Sequence, residues 1–149
     1  MRHQILPAAT AFVAIAMGFL VHDVYLEYKR NMPWLESSFF VPNFALGENV
    51  EVNYARNIYE HVNVVWHVEM RQAGTHKTVC AAGNTTTLSP DEPRVYPFPF
   101  GGLWSEKNLK TKTPYSYVPG DYYLEFTYST PTRKNHVVQS NVFTVNPLP

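Results

Sequence analysis

The sequence predicts an all-β domain, an antiparallel sandwich, preceded by one N-terminal transmembrane helix. Three observations lead to this fold class. Residues 3–22 carry no formal charge and are long enough to cross a bilayer as a helix. From residue 37 onward apolar and polar residues alternate with a period of two, which is typical of half-buried strands. Several such segments, separated by turn signals and without helical periodicity between them, form an antiparallel sandwich or barrel.

Composition limits the number of domains and the class of partner. The chain has 149 residues, enough for one domain with a hydrophobic core and too few for two. Lys and Arg together number 12, as do Asp and Glu, so no net field attracts nucleic acid, which we exclude as a partner. Cys80 is the single cysteine. It therefore forms no intrachain disulfide or cysteine-based metal cage, and we expect it to be a small buried side chain.

Residues 1–24 are interpreted as a signal anchor that spans the membrane once. The most apolar part runs from Ile5 to Val21, and twenty helical residues cover about 30 Å, the thickness of the hydrocarbon core. The alternative is a signal peptide cleaved after residues 1–16, where Ala14 and Ala16 have small-x-small spacing. The apolar run continues past that site to Val21, which favours an uncleaved anchor. Cleavage would instead leave a secreted or periplasmic domain.

The residues around the apolar segment predict its orientation and its junction with the domain. Arg2 and the amino terminus favour a cytoplasmic N-terminus, whereas Lys29 and Arg30 favour the opposite orientation. We expect the N-terminus in the cytoplasm and the β domain outside it. Residues 25–36 then form an interfacial neck. The aromatic rings of this neck suit the headgroup region of the bilayer: Tyr25, Tyr28 and Trp34. The alternative is that these rings pack on the β domain.

The predicted β domain covers residues 37–149. Its clearest strand is 60–71, where even positions from Val62 to Met70 are apolar and most odd positions are polar, so the apolar face points inward. Residues 47–56 and 120–129 repeat the pattern. Further candidates are a last strand at 136–145, with a bulge at Val137 and Val138, a weaker strand at 75–82, and another at 37–46 that contains Pro42 and so belongs at an edge.

The order of three features resembles an immunoglobulin-like or fibronectin type III-like sandwich. An inward Trp66 on a central strand is followed by YVPGDYYLEFTYS at 117–129 and then by a closing SNVFTV. The Pro-Gly-x-Tyr entry is similar to the corner where such folds begin their penultimate strand. The resemblance implies structural roles for Trp66, Gly120 and Tyr122, with the Tyr122 hydroxyl tied to the backbone of the preceding turn. The cysteine pair of true immunoglobulin domains is missing.

In layout the chain also resembles small single-pass proteins of bacteria and their phages that carry an extracytoplasmic β-sandwich. This fold hosts many unrelated functions, so the likeness assigns no activity. The sequence has no G-x-S-x-G nucleophile elbow, no Gly-rich phosphate loop and no H-E-x-x-H motif, each of which supplies a specific chemistry. We therefore expect neither enzymatic activity nor a cofactor.

A surface metal site is the main hypothesis for ligand binding. His67 and Glu69 are neighbours on the outward face of strand 60–71, and His76 follows the next turn. Imidazole and carboxylate groups are common zinc ligands. His61 shares that face, but six strand residues place it about 20 Å from His67. The alternative is a set of solvated polar residues on an exposed sheet face.

The connection from Asn84 to Pro119 is predicted to be a long loop with an aromatic strip, VYPFPFGGLW at 95–104. Alternation places Tyr96, Phe98 and Phe100 on one side and the prolines on the other. Long ordered loops are commonly functional or carry their own packing, so the strip is either a partner-binding surface or a lid. We favour a lid beside the sandwich rather than in a strand pair, because burying one ring stabilises by about 1.5–3 kcal/mol. Trp104 is the ring expected to face outward.

Two functions from different classes follow from these observations. The first is a non-catalytic, membrane-tethered interaction module that displays loops and sheet edges to another envelope or host protein. It would act in an envelope assembly or as a phage-encoded function at the host surface, with Tyr96, Phe98, Phe100 and Trp104 as candidate contacts. The second is a small-ligand or metal-binding envelope protein that uses His67, Glu69 and His76.

Overall fold

A computed structural model describes residues 5–105, 107–108 and 117–149, and the chain divides into two compact units, Met1–Met32 and Pro33–Pro149. The first unit contains one helix, α1 (Ile5–Asn31), of 27 residues. Within its segment Thr10–Asn31, an 18-residue window has a mean hydropathy of 1.4. By length and composition this segment can cross a membrane, and the same properties fit a signal sequence near the N-terminus.

The structure divides the predicted interfacial neck at residues 25–36. Helix α1 continues through Tyr25 and Tyr28 to Asn31, and the second unit begins at Pro33. Trp34 is only 4% exposed and lies in the core of the β domain. Its indole Nε1 donates a hydrogen bond to the Lys134 carbonyl oxygen at 3.0 Å. Placing Trp34 at a membrane interface was therefore wrong, because its ring and its N–H group both have partners inside the domain.

The second unit is built from two sheets. One is three-stranded with the order β1-β3-β6; the other has the order β2-β9-β7-β4-β5, and β8 also pairs with β7. The predicted all-β sandwich after an apolar helix is confirmed. The strands in chain order are β1 (Leu35–Phe40), β2 (Phe44–Ala45), β3 (Glu51–Ile58), β4 (Val62–Gln72), β5 (Thr78–Leu88), β6 (Val95–Pro99), β7 (Gly120–Ser129), β8 (His136–Gln139) and β9 (Phe143–Asn146), and a short helix α2 (Phe100–Leu103) follows β6.

The first predicted strand, 37–46, changes sheets. Its β1 portion pairs with β3, whereas β2 pairs with β9 in parallel, with Phe44 opposite Val145. The other pairs of described strands are antiparallel, so the expectation of a purely antiparallel fold is wrong at this one ladder. The change of sheet occurs at Pro42, where the missing N–H prevents a continuous ladder.

The predicted last strand at 136–145 is interrupted. It forms β8 and β9, which both pair antiparallel with β7. At the break the Ser140 N–H donates to the Leu124 carbonyl oxygen at 2.9 Å, and the Ser140 hydroxyl oxygen accepts from the Leu124 N–H at 2.9 Å. A side-chain oxygen thus replaces a backbone acceptor, and the irregularity lies after Gln139 rather than at Val137 and Val138.

The predicted long loop from Asn84 to Pro119 contains regular structure. Strand β5 continues to Leu88, which is opposite Val62 of β4, and its Thr residues are β-branched and favour strands. Strand β6 pairs antiparallel with β3. The first half of the aromatic strip, Val95–Pro99, is therefore part of a strand pair, contrary to the prediction. Residue 106 and residues 109–116 of the predicted loop lie outside the described residues.

Aromatic rings join the two sheets. The Phe39 ring of β1 stacks on Tyr54 at 4.3 Å between ring centroids and on Phe126 of β7 at 3.6 Å. The apolar face predicted for β4 is confirmed, because Val64, Val68 and Met70 are buried. On the same face Trp66 is half-buried and packs against the core. Cys80, also as expected, is buried.

Candidate functional site

The start of β7 contains a tyrosine tied to the preceding turn. The Tyr122 hydroxyl donates to the Val118 carbonyl oxygen at 2.7 Å, and the residue is only 1% exposed. A Cβ atom placed on Gly120 would lie 3.6 Å from the Tyr122 ring, so the ring covers the glycine. This is the tie that the immunoglobulin-like resemblance implies. Tyr122 therefore stabilises the turn and the core rather than forming a binding surface, because almost none of its side chain is exposed.

The aromatic strip packs largely into the domain. Tyr96 and Phe98 are half-buried and contact the core, whereas Phe100 and Trp104 are 2% and 3% exposed. The expectation that Trp104 faces outward is therefore wrong. Helix α2 turns the chain back toward the core, where the Phe100 and Trp104 rings meet edge to face with centroids 5.9 Å apart. Only Tyr96 and Phe98 keep part of their rings at the surface.

The alternating prolines protect the free edge of the three-stranded sheet. The Arg56 N–H bonds the Arg94 carbonyl oxygen, and the Phe100 N–H bonds the Val50 carbonyl oxygen. Because hydrogen-bonded pairs recur every second residue, even positions of β6 face β3 and odd positions face the open edge. The odd positions include Pro97 and Pro99, which lack an N–H. Addition of a further strand here is disfavoured.

An arginine points from β3 into the space between the sheets. The Arg56 guanidinium carbon lies 5.0 Å from the Tyr54 ring centroid and 4.7 Å from that of Tyr96, distances typical of cation–π contacts. Its terminal nitrogen pairs with the Glu92 carboxylate, and the side chain is 11% exposed. The buried Arg56 Nε has no hydrogen-bond partner among the described groups.

The sequence analysis missed Arg56 as a site residue. Its position in EVNYARNI could have identified it, because alternation along the strand places Arg56 on the same face as the inward Val52 and Tyr54. An arginine in an inward register requires a partner, because burial of an unpaired charge is costly. The ring of Tyr96 and the carboxylate of Glu92 supply this partner, but both come from distant positions in the chain.

These groups line a cavity between the sheets, hereafter the aromatic pocket, with a volume of about 250 Å³. Burial raises the pKa of Tyr96 and raises that of Tyr128 well above its usual range, so both hydroxyls remain protonated at neutral pH. The Tyr128 hydroxyl donates to the Tyr54 oxygen at 3.1 Å. The lining of the pocket includes Tyr54, Arg56, Trp66, Tyr96, Phe98 and Tyr128.

The predicted metal ligands are not brought together as a set. His67 Nε2 lies 3.1 Å from Glu69 Oε1, but His76 Nδ1 is 3.0 Å from the Tyr123 hydroxyl. Within the described part of the chain, no three His, Cys, Asp or Glu side chains are grouped so as to hold a metal ion. His67 and Glu69 thus contact each other, whereas His76 contacts Tyr123 instead.

Glu69 instead belongs to a polar network on the outer face of the larger sheet. Its carboxylate accepts hydrogen bonds from Arg71 Nε at 2.8 Å and from the Thr78 hydroxyl at 2.9 Å. Arg71 also pairs with Glu125, 3.1 Å away. Partial burial alone raises the pKa of Glu69, but hydrogen bonds from Thr78, His67 and Arg71 outweigh it and lower this pKa. Glu69, Arg71 and Glu125 therefore each have a partner of opposite charge on this face.

The outer face of the three-stranded sheet has a different character. Phe40 is 54% exposed and Val95 is 62% exposed. Cross-strand register aligns two rows on this face, which we call the small-sheet face: Phe40, Asn53 and Pro97 in one row, and Ser38, Ala55 and Val95 in the other. None of these six residues is charged, but Glu36, Arg56 and Arg94 also line the shallow depression of about 410 Å³ over the second row.

Comparison with known proteins identifies no family. No family model matches the chain, and no curated protein sequence matches it. Among solved structures it is similar to the apo-form Calx CBD1 domain, with 9% identity, a TM-score of 0.41, and coverage of 78% of this chain and 100% of that one. It is also similar to a chain from a study of T cell specificity and activation by the superantigen toxic shock syndrome toxin-1, with 9% identity, a TM-score of 0.35, and coverage of 76% and 99%.

Proposed function

We propose that this chain is a non-catalytic, membrane-tethered interaction module whose β-sandwich lies outside the cytoplasm and binds another protein through the small-sheet face. Helix α1 is the tether, with the N-terminus and Arg2 on the cytoplasmic side. The partner belongs to an envelope assembly, or to the host surface if the protein is phage-encoded. An apolar helix long enough to span a membrane, followed by a separate β unit, supports this arrangement.

The observation that carries the proposal is the contrast between the two outer faces of the sandwich. On the larger sheet Arg71 pairs with both Glu69 and Glu125, so the exposed face carries charged side chains at its centre. The small-sheet face exposes more than half of Phe40 and of Val95 and has no charge in its two central rows, whereas Glu36, Glu51 and Arg94 lie around those rows. Exposed apolar patches without charge at the centre and with polar residues at the rim are typical of protein-binding surfaces.

The protected edge defines the mode of binding. Because Pro97 and Pro99 remove N–H groups from the free edge of β6, a partner gains few backbone hydrogen bonds by adding a strand there. We therefore propose contact between faces, mediated by side chains, rather than the display of a sheet edge. Tyr96 and Phe98 lie behind this face and support it from within.

Site-specific photo-crosslinking in native membranes tests this proposal. A benzoylphenylalanine at Ser38 or Asn53, which lie on the small-sheet face, should capture one defined protein. The same group at Thr85 or Thr127, which lie on the outer face of the larger sheet, should not. Equal capture from both faces, or no capture from Ser38 and Asn53, contradicts the proposal.

A matched pair of substitutions separates specific binding from random collision. Val95→Glu places a charge in the second row of the small-sheet face and should abolish the crosslink from Asn53. Val65→Glu is the control, because Val65 is 42% exposed on the outer face of the larger sheet. It should leave the crosslink intact. If both substitutions act alike, the small-sheet face is not the binding surface.

A further inference from the structure

Charges of opposite sign lie at one end of the small-sheet face, on either side of β3. Glu36 belongs to β1 and is opposite Asn57 of β3, whereas Arg94 directly precedes β6. Both charged residues are exposed and line the same depression. The hydrogen bond that the Tyr59 hydroxyl donates to Glu36 raises the pKa of Tyr59, and the charge of Arg94 opposes this shift. An acidic and a basic group therefore both lie close to the end of β3.

These two charges are not paired with each other in a single chain. Neighbouring strands lie about 4.8 Å apart, so β1 and β6 are separated by about 10 Å across β3. Among the described residues no ion pair joins Glu36 and Arg94. Each of them can therefore contact an opposite charge on a second surface.

A two-fold axis along β3 makes the small-sheet face complementary to itself. In a symmetric dimer both copies use the same patch, and this axis places β1 of one copy over the β6 side of the other. The cross-strand register then aligns three pairs between the copies to within one residue: Glu36 with Arg94, Ser38 with Val95, and Phe40 with Pro97. One pair joins opposite charges and another packs an exposed ring on a proline, so both the charged end and the apolar rows find a counterpart.

Residues of β3 lie on this axis and contact their own counterparts. The amide of Asn53 can donate and accept a hydrogen bond, and the small side chain of Ala55 allows the two sheets to approach closely. Glu51 is the exception, because its counterpart has the same charge. It is exposed at the opposite end of the face from Glu36, where salt and water screen the repulsion.

The tether favours this axis over one that runs across the strands. Helix α1 ends at Asn31 and β1 begins at Leu35, so two copies in one membrane require both β1 starts at the same end of the dimer. An axis along β3 meets this condition. An axis across the strands places the two β1 starts at opposite ends.

We infer that the small-sheet face binds a second copy of this chain in the same membrane, with Glu36 of each copy paired with Arg94 of the other. This inference rests on the proposed function and names the partner in the envelope assembly. The face covers about 300–400 Å² per copy, less than the roughly 800 Å² per partner of a standard interface. The dimer therefore depends on confinement in the membrane, which raises the effective concentration of the two faces.

Cysteine crosslinking of the full chain in liposomes tests the position of the axis. Ala55→Cys places a thiol on the axis, so a short bismaleimide should join two copies into a dimer. Thr127→Cys is the matched control, because Thr127 is also half-buried but lies on the outer face of the larger sheet. The wild-type chain is the blank, since Cys80 is buried. Equal dimer yields from Ala55→Cys and Thr127→Cys overturn the inference.

Charge exchange tests the pairing between copies. In the Ala55→Cys background, either Glu36→Arg or Arg94→Glu brings like charges together at both ends of the pairing, and each variant alone should dimerise about tenfold more weakly. A mixture of the two variants, distinguished by affinity tags, restores opposite charges at both contacts and should form mixed dimers as well as the parent chain does. A mixture that does not recover, or single variants that dimerise normally, overturns the inference.

Glu51→Gln removes the one repulsive contact on the axis. It should strengthen the dimer by about twofold to threefold, measured as the crosslink yield at several protein-to-lipid ratios. A weaker dimer in Glu51→Gln contradicts an axis along β3.

The photo-crosslink from Asn53 in native membranes separates failure of this inference from failure of the proposed function. An adduct with twice the mass of the chain supports both. Capture of a different protein, without an Ala55→Cys dimer in liposomes, overturns the second copy as partner but leaves the small-sheet face as a binding surface. Absence of any captured protein contradicts both.

Discussion

The side-chain amide of Asn141 is hydrogen bonded to both backbone groups of Val41. Asn141 Oδ1 accepts from the Val41 N–H at 2.9 Å, and Asn141 Nδ2 donates to the Val41 carbonyl oxygen at 2.8 Å. Val41 is fully buried and lies at the point where the first strand leaves one sheet for the other. One side chain therefore satisfies the backbone at a bend that lacks a continuous ladder.

Removing this amide should destabilise the domain. Asn141→Leu keeps a similar side-chain volume but leaves two backbone groups of Val41 unpaired. We expect the free energy of unfolding to fall by about 2–4 kcal/mol, measured by urea denaturation of the full chain in micelles. Asn146→Leu is the matched control, because Asn146 is exposed on β9. Equal loss in both variants would mean that the Asn141 contact has no special role.

Stability should decrease in mild acid because of His136. Its Nε2 is 3.0 Å from the Ser37 hydroxyl, and burial lowers the pKa of His136 from its ordinary 6.5, although Glu36 opposes this shift. The unfolded chain binds a proton near pH 6.5, whereas the folded chain binds it only at lower pH. The contribution of His136 to the free energy of unfolding is therefore complete above about pH 6.5 and is lost as the pH falls through the lowered pKa of the folded state.

Urea midpoints between pH 8 and pH 5 measure this effect. His136→Gln retains a side chain that can bond Ser37 but cannot titrate, so its midpoint should fall less over this range than that of the wild type. An unchanged pH dependence in His136→Gln would assign the acid sensitivity to another group. Loss of the Glu69 network follows only at lower pH, since the pKa of Glu69 lies below its ordinary value.

The prolines of β6 should prevent association through the sheet edge. Replacing Pro97 and Pro99 together by Val restores two N–H groups that face away from β3 and raises strand propensity. We expect concentration-dependent oligomers, detected by analytical ultracentrifugation. The control replaces Pro90 and Pro93, in the exposed β5–β6 turn, by Val and should not change the oligomeric state. A double variant at 97 and 99 that associates no more than this control would contradict a protective role.

Cys80 should react with thiol reagents only after unfolding. Burial raises its pKa to about 12, and the thiolate is the reactive species. At pH 8 we expect iodoacetamide to label the folded chain very slowly and the urea-unfolded chain at the rate of a free cysteine. Because this is the single cysteine, labelling reports directly on opening of the core. Rapid labelling without urea would show that the site opens in the folded state.

Much of the fold was predictable because strand patterns are local. The inward faces of β4 and β7 follow from alternation alone, and the Tyr122 contact was implied by the resemblance of the Pro-Gly-x-Tyr entry to the corner of an immunoglobulin-like sandwich. The N-terminal helix follows from a run of apolar residues. In each case neighbouring residues carry the whole signal, so no knowledge of distant parts of the chain is needed.

Other features depend on which strands become neighbours. The same alternation of Tyr96 and Phe98 with prolines is compatible with a loop or with a strand, and only pairing with β3 makes it a strand with a protected edge. Burial of Trp34 requires the Lys134 carbonyl oxygen, and burial of Trp104 requires the turn at α2. The aromatic pocket combines Arg56, Trp66, Tyr96 and Tyr128, which lie far apart in the chain. Their proximity results from packing of the two sheets, which local periodicity does not encode.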